Sequence, residues 1–412
     1  MLGANRTCQG GGEGHLEQGQ RTGVPGATTK IPQECGVSAE VVAAVDVNTT
    51  ANEVYKHNFP NTPLWPKSIE GISLKELDSL SFDMILMSPP CQPFTRIGLQ
   101  GDVSDPRAKS FLYVLEILPR LRKTPSYILL ENVKGFESSE ARDTMIRTLE
   151  SCGYIYQEFL LSPPCLGIPN SRLRYFLIAK LQAEQFAFQT TNKILEAFPC
   201  TNTSELGRSS SALCSEGNVQ TDADQKRLLS PNQGPEGAFL YKLETAEELE
   251  RKMNQDNDPS VQRLQDFLEE NVEISQYLLP PKSLLRYALI LDIVKPTCRR
   301  STCFTKGYGH YVEGTGSILQ AAADVEISSA YNSLETLSDE EKLDKLSALQ
   351  LRYFTPREIA NLHGFPAAFG FPDKITTKQR YRLLGNSLNV HIVAKLIALM
   401  LQAPAARHRV TS

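Results

Sequence analysis

The chain has 412 residues, 22% of them charged and 41% hydrophobic, with a formal net charge of −4. Such a balance excludes a disordered chain and a strongly basic nucleic-acid binder, and the length leaves room for two domains and a sizeable core. Nine cysteines with no secretory signal point to a reducing compartment, and no apolar run is long enough to cross a bilayer.

Residues 1 to 36 read as irregular and low-complexity. Gly10-Gly11-Gly12-Glu13-Gly14 follows no apolar strand and fails the G-x-G-x-x-G spacing of a nucleotide-binding loop. Val41-Val42-Ala43-Ala44-Val45-Asp46 is the first apolar strand. Its terminal acid suits the ribose hydroxyls of a bound nucleoside, or else the capping of a helix or turn. The run from Phe82 to Met87 is a second buried strand, stopped by Ser88-Pro89-Pro90 because proline offers no N–H to a neighbour. Cys91 follows at once, in a loop stiffened by Pro89, Pro90 and Pro93, at the strand edge where open α/β sheets collect ligands. Taken alone, this segment also reads as a proline-rich turn with an incidental cysteine.

Tyr127 to Leu130 is a third apolar strand, capped by Glu131-Asn132-Val133. A fourth, Arg172 to Ala179, begins with Arg172 and Arg174 at i and i+2, and therefore on one face. Singly, Glu131 reads as a surface carboxylate and the arginines as a solvated strand edge. Together, a thiol, a carboxyl and paired guanidiniums at the ends of different strands form a reactive constellation. Helical stretches at Arg107–Arg122 and Ser139–Ser151 alternate with these strands, which predicts an α/β fold with a largely parallel sheet.

Beyond it, residues 200 to 236 are rich in Ser, Thr, Gln, Asn and Gly and read as a loop, and 244 to 274 read as acidic surface helices. Cys298 and Cys303 have no partners at zinc spacing, so no metal is expected. Thr355-Pro356-Arg357-Glu358 is a capping box with proline at the first helical position, and Gly364 is placed to end that helix. A last helix runs from Asn389 to about Leu401. Contacts to a nucleic acid would use local clusters such as Arg120-Leu121-Arg122-Lys123, Arg299-Arg300 or Lys378 to Arg382, each of which also reads as a solvated face.

The Cys91, Glu131 and Arg172–Arg174 blocks resemble the cytosine-5 methyltransferase family, as do Arg352 to Ala360 with Gly364-Phe365-Pro366, and Leu384-Gly385-Asn386-Ser387-Leu388-Asn389-Val390. Cys303-Phe304-Thr305-Lys306-Gly307-Tyr308-Gly309 is similar to the signature of the branch that methylates tRNA rather than DNA. The resemblance covers roughly residues 38 to 400. It implies a Rossmann-like, S-adenosylmethionine-dependent α/β methyltransferase sheet over 37–185 plus 377–402, with a smaller target-recognition domain over 186–376. It also implies that Cys91 is the nucleophile that adds to carbon 6 of cytosine, making carbon 5 enamine-like. Glu131 would hold the N3 edge of the base, and Arg172 and Arg174 would steady its carbonyl and the Cys91 loop. Asp46, Ile69, Glu70 and Ser387 fall where the family holds the cofactor. The partner implied is tRNA of the aspartate type, methylated at a cytosine of the anticodon loop, with DNA a weak partner, no membrane, and a cytoplasmic and nuclear location.

One departure stands out. The family opens on a central strand and a glycine-rich loop for the methionine end of the cofactor, and residues 1 to 37 contain neither. An alternative first exon or an error in the gene model would explain this. The other readings are therefore a cofactor-deficient tRNA-binding isoform with little activity and a DNA cytosine-5 methyltransferase.

Overall fold

The computed structural model describes residues 2–6, 15–18, 39–90, 108–199, 245–331 and 334–403. Its main sheet contains β1 (Leu2–Arg6), β2 (His15–Gln18), β3 (Ala39–Val45), β4 (Leu64–Trp65), β5 (Met84–Met87), β6 (Tyr127–Val133), β7 (Tyr154–Leu161) and β8 (Arg174–Leu181), in the order β4-β3-β1-β2-β5-β6-β8-β7. β5 is buried along its whole length and β6 nearly so, which is how a strand reads when helices cover both faces of a parallel sheet. β3 is parallel to β4, and β5 to β6. The far edge is an antiparallel hairpin, β7 and β8, with β8 antiparallel to β6. Among the described strands the sheet is therefore largely parallel, with β1 and β8 running against the other six.

The centre of the sheet departs from the irregular segment expected at 1 to 36. Two short strands lie there. β2 runs parallel to β3 and β5, with Leu16 opposite Val41 and Glu17 opposite Ile85. Facing rows of unpaired N–H and C=O groups on β3 and β5 demand partners whatever the partner's side chains are. Leu-Gly-Ala-Asn-Arg and His-Leu-Glu-Gln supply backbone but no apolar alternation, so periodicity could not reveal them.

Helices form where the sequence caps them. Ser139 caps Glu140–Ser151, Asn389 caps Val390–Leu401, and Thr355 with Glu358 closes the expected capping box at Pro356–Leu362. Gly364, at φ 77°, lies just beyond that helix, in the left-handed conformation that glycine adopts without strain. The helical stretch Thr377–Leu401 is long and apolar enough to cross a bilayer, unlike any run expected from the sequence, but most of it is buried in the protein, as a core helix is. Of the acidic stretch 244 to 274, only Ala246–Asp256 is α-helical; Leu264–Phe267 is a short 3-10 turn.

A second, three-stranded sheet joins β9 (Ile293–Val294), β10 (Ile318–Gln320) and β11 (Leu351–Arg352) in the order β11-β10-β9. Its core is continuous with one side of the main sheet, from Leu86 and Leu129 through Phe304 and Phe354 to Leu396. An ion network fixes the helix Ala246–Asp256 to this unit. Asp292 accepts Lys252 at 2.7 Å and Arg300 at 2.8 Å, and Arg300 also meets Asp256 at 3.2 Å. Arg299 donates to the Val261 carbonyl. The Arg299-Arg300 pair thus serves the fold, a correction to its reading as a nucleic-acid contact.

Candidate active site

β5 and β6 pair in parallel register from Met84 opposite Tyr127 to Met87 opposite Leu130. Continuing that register, the chain leaves β5 at Ser88-Pro89-Pro90 beside Glu131, which is fully buried. Cys91 lies outside the described residues. Pro90 is at the same carboxyl edge as Glu131. Asn132, next to Glu131 and still within β6, uses its own Oδ1 to accept the Val133 N–H at 2.8 Å.

Arg174 opens β8 and reaches back across the strand pair. Its Nε is 3.6 Å from Glu131 Oε1, and its Nη2 lies 3.8 Å from Cys303 Sγ. Arg172, two residues earlier and nearly inaccessible, meets the same sulfur from Nη1 at 3.3 Å. It also donates to the carbonyls of Phe304 at 3.1 Å and Gly385 at 3.0 Å, and to that of Ser387. Both guanidiniums therefore converge, as their spacing predicted, but Arg172 ties the 303–305 and 385–387 segments to the main sheet. A second clasp supports it: Ser171 N–H to the Ser301 carbonyl at 2.8 Å, and Asn170 Nδ2 to the Thr302 carbonyl at 3.0 Å. Gly385 is needed at this seam, because a Cβ there would lie 2.2 Å from the Thr305 carbonyl carbon.

Cys303 is a site residue that the sequence reading placed only within a signature block. Burial pushes its thiol up, yet Arg172 and Arg174 together outweigh that and hold it below the ordinary value. His363 was not foreseen at all. It is fully buried at the end of the helix Pro356–Leu362, and neither ring nitrogen has a hydrogen-bond partner among the described residues. Burial first, then the charges of Arg172 and Arg174, keep it neutral, well below the ordinary histidine range.

The expected cofactor residues occupy two places. Asp46 ends β3, where its Oδ1 accepts the Asn48 N–H at 2.7 Å and Asn52 Nδ2 donates to its carbonyl at 2.8 Å. Helix capping falls to Asn48, whose side chain accepts the Ala51 N–H at 2.9 Å, so Asp46 is not the cap. Burial raises the Asp46 carboxyl from 3.8 to about 7, against the lowering effect of the Asn48 bond. Val47 beside it is 52% exposed, an apolar surface open to a ligand and absent from the sequence reading. Ile69 is buried, and Glu70 is exposed and accepts Ser110 Oγ at 2.7 Å. Ser387 is buried with the arginine group, its hydroxyl donating to the Leu383 carbonyl at 3.0 Å.

A family model described as C-5 cytosine-specific DNA methylase matches residues 33–402. A human protein named tRNA (cytosine(38)-C(5))-methyltransferase is 61% identical over 387 residues, covering 92% of this chain and 97% of that protein. A Dictyostelium discoideum protein named DNA (cytosine-5)-methyltransferase is 38% identical over 371 residues, covering 89% of each. Among solved structures, a Spodoptera frugiperda DNMT2 variant superimposes with a TM-score of 0.71 at 35% identity, covering 93% of this chain and 98% of that one.

Proposed function

The chain belongs to the C-5 cytosine methyltransferase family, and from that premise we propose that it methylates carbon 5 of a cytosine in tRNA, at position 38 in the anticodon loop of tRNA-aspartate, with S-adenosylmethionine as donor. The observation that carries this reading is the buried Glu131 carboxyl held beside Arg174 at the strand edge that Pro90 also reaches. S-adenosylmethionine, when bound, supplies an electrophilic methyl group. Asp46 fits the ribose hydroxyls and Val47 the adenine face, with Ile69 and Glu70 on the adenine side. Cys91 adds as a thiolate to carbon 6, forming the sulfur–carbon bond while Glu131 delivers a proton to N3. Electron density then lies on carbon 5, which would accept the methyl group as the donor's sulfur–methyl bond breaks and S-adenosylhomocysteine leaves as a neutral thioether. Loss of the carbon-5 proton to a base expels Cys91, breaks the sulfur–carbon bond and returns the N3 proton to Glu131. Arg174 holds Glu131 in place, and Arg172 holds the target-side loops against the sheet.

Transfer of a labelled methyl group to tRNA-aspartate, compared with duplex DNA at equal salt, tests this reading. A loop base is already partly unstacked, whereas extruding one from a duplex costs a few kcal/mol. The tRNA rate is therefore expected to be about a hundredfold the higher. Equal or faster transfer to the duplex would favour the activity named for the Dictyostelium relative.

Cofactor affinity is expected to depend on Asp46. Ribose hydroxyls donate to a carboxylate, so only the ionised form binds well. With the carboxyl at about 7, affinity should rise about tenfold per unit as pH climbs toward that value, then level off. Calorimetry below neutral pH should detect a proton released on binding. Asp46→Asn should flatten the profile; an unchanged profile would move the ribose contact elsewhere. For stability the sign is opposite: the folded state keeps a proton up to about 7 that the unfolded chain loses near 3.8, so stability falls as pH rises through this window.

A further inference from the structure

The loop that begins at Cys303 ends in two exposed rings. Its base is rigid. Phe304 and Tyr308 are buried and meet edge to face at 5.0 Å, the Tyr308 hydroxyl donates to the Ser317 carbonyl at 2.7 Å, and the Thr305 N–H bonds the Thr315 carbonyl at 2.8 Å. The tip is held equally well. The N–H groups of His310 and Tyr311 both bond the Gly307 carbonyl, at 3.0 and 2.9 Å, and Thr315 Oγ1 donates to the Tyr311 carbonyl at 2.8 Å. Yet Tyr311 is 63% exposed, more than any other large apolar side chain among the described residues. Its ring backs onto His310, with centroids 4.6 Å apart, and onto Gly307, where a Cβ would come within 3.0 Å of it.

An aromatic ring held out into water by a well-bonded loop is a surface prepared for another ring. Its surroundings specify what kind. The loop packs on the helix Thr377–Gly385, since a Cβ at Gly309 would lie 2.7 Å from the Tyr381 ring. Lys378 and Arg382 of that helix are exposed, as is Lys306 of the loop, and none of the three has an ion-pair partner among the described residues. Aromatic rings beside uncompensated cations are how proteins hold single-stranded nucleic acid: bases stack while charges follow the backbone. The root of the loop, Cys303, contacts both arginines of the candidate active site. We propose that Tyr311, backed by His310, is a stacking platform for an unpaired base flanking the target cytosine. The inference rests on the tRNA reading and assigns a specificity-determining residue to it.

Fluorescence anisotropy with labelled tRNA-aspartate across a salt series tests the platform. Stacking is worth about 1–3 kcal/mol per base, so Tyr311→Ala should weaken binding about tenfold. No phosphate contact is lost, so the slope of log Kd against log salt should not change. Tyr311→Phe should restore most of the affinity, because the ring stacks without its hydroxyl. Lys378→Gln should instead reduce the slope by about one. A 2-aminopurine placed beside the target cytosine should be quenched by the parent protein and by Tyr311→Phe, but not by Tyr311→Ala. An Ala variant that binds and quenches like the parent overturns the platform while leaving the tRNA reading intact. A parent protein that holds duplex DNA as tightly as tRNA overturns both, and an altered salt slope in Tyr311→Ala reassigns the residue to backbone contacts.

Discussion

Cys91→Ser is expected to abolish turnover. A serine hydroxyl stays protonated at neutral pH and cannot add to carbon 6, whereas a thiol near 8.5 needs only modest electrostatic help to ionise. RNA carrying 5-fluorocytosine makes the outcome visible, because fluorine cannot leave carbon 5 as a proton does, and the sulfur–carbon bond is trapped after methyl transfer. The parent should give a denaturation-resistant protein–RNA adduct, and Cys91→Ser none. Cys303 is the competing thiol, since Arg172 and Arg174 hold it below its ordinary value. Its sulfur already accepts from both guanidiniums, at 3.3 and 3.8 Å, and those bonds would be surrendered on attack. An adduct whose peptide maps to Cys303, or one that survives in Cys91→Ser, would reassign the nucleophile. Affinity for tRNA should persist in the variant, because the proposed RNA contacts lie on the loop and helix rather than on the sulfur.

Part of the candidate site was legible because some of its residues sit where an apolar run stops. Val45 into Asp46 marks the end of β3, whereas at Leu130 into Glu131 the apolar run stops but β6 continues to Val133, and a buried strand is visible from composition alone. The spacing of Arg172 and Arg174 placed them on one face, and both do reach one atom, Cys303 Sγ. What could not be read was the identity of that atom, which belongs to a residue 131 positions downstream of Arg172. Pairings at such separation leave no periodic trace. Arg299-Arg300 misled for the same reason. Two adjacent arginines look like a phosphate contact until Asp256 and Asp292 arrive from other elements and turn Arg300 inward. At the N-terminus, β1 and β2 were invisible because backbone pairing, not side-chain alternation, places them. His363 resembles any histidine in a helix-ending sequence, and only three-dimensional packing buries it near the arginines.

Glu131→Gln is expected to lower the single-turnover rate by at least about a hundredfold, the scale of a lost general acid. Glutamine matches the carboxyl in size, and its amide oxygen can still face Arg174 Nε, which lies 3.6 Å from Oε1 in the parent. Its N–H can still donate to N3 of the base. What it cannot do is surrender a proton, so the charge that Cys91 pushes into the ring on attack stays in the ring. The loss should therefore fall on the chemical step, with tRNA affinity and salt slope held. Trapping with 5-fluorocytosine separates this defect from a missing nucleophile: Glu131→Gln should form the adduct slowly but completely, where Cys91→Ser forms none. Arg174→Lys adds a second test, since lysine keeps the charge but not the planar fork that reaches Glu131 and Cys303 together. It should slow the same step by less than Glu131→Gln does. Near-parental single-turnover rates in Glu131→Gln, with the fold intact by circular dichroism, would place the N3 proton on another group, and the strand-end carboxyl would then serve only to hold Arg174.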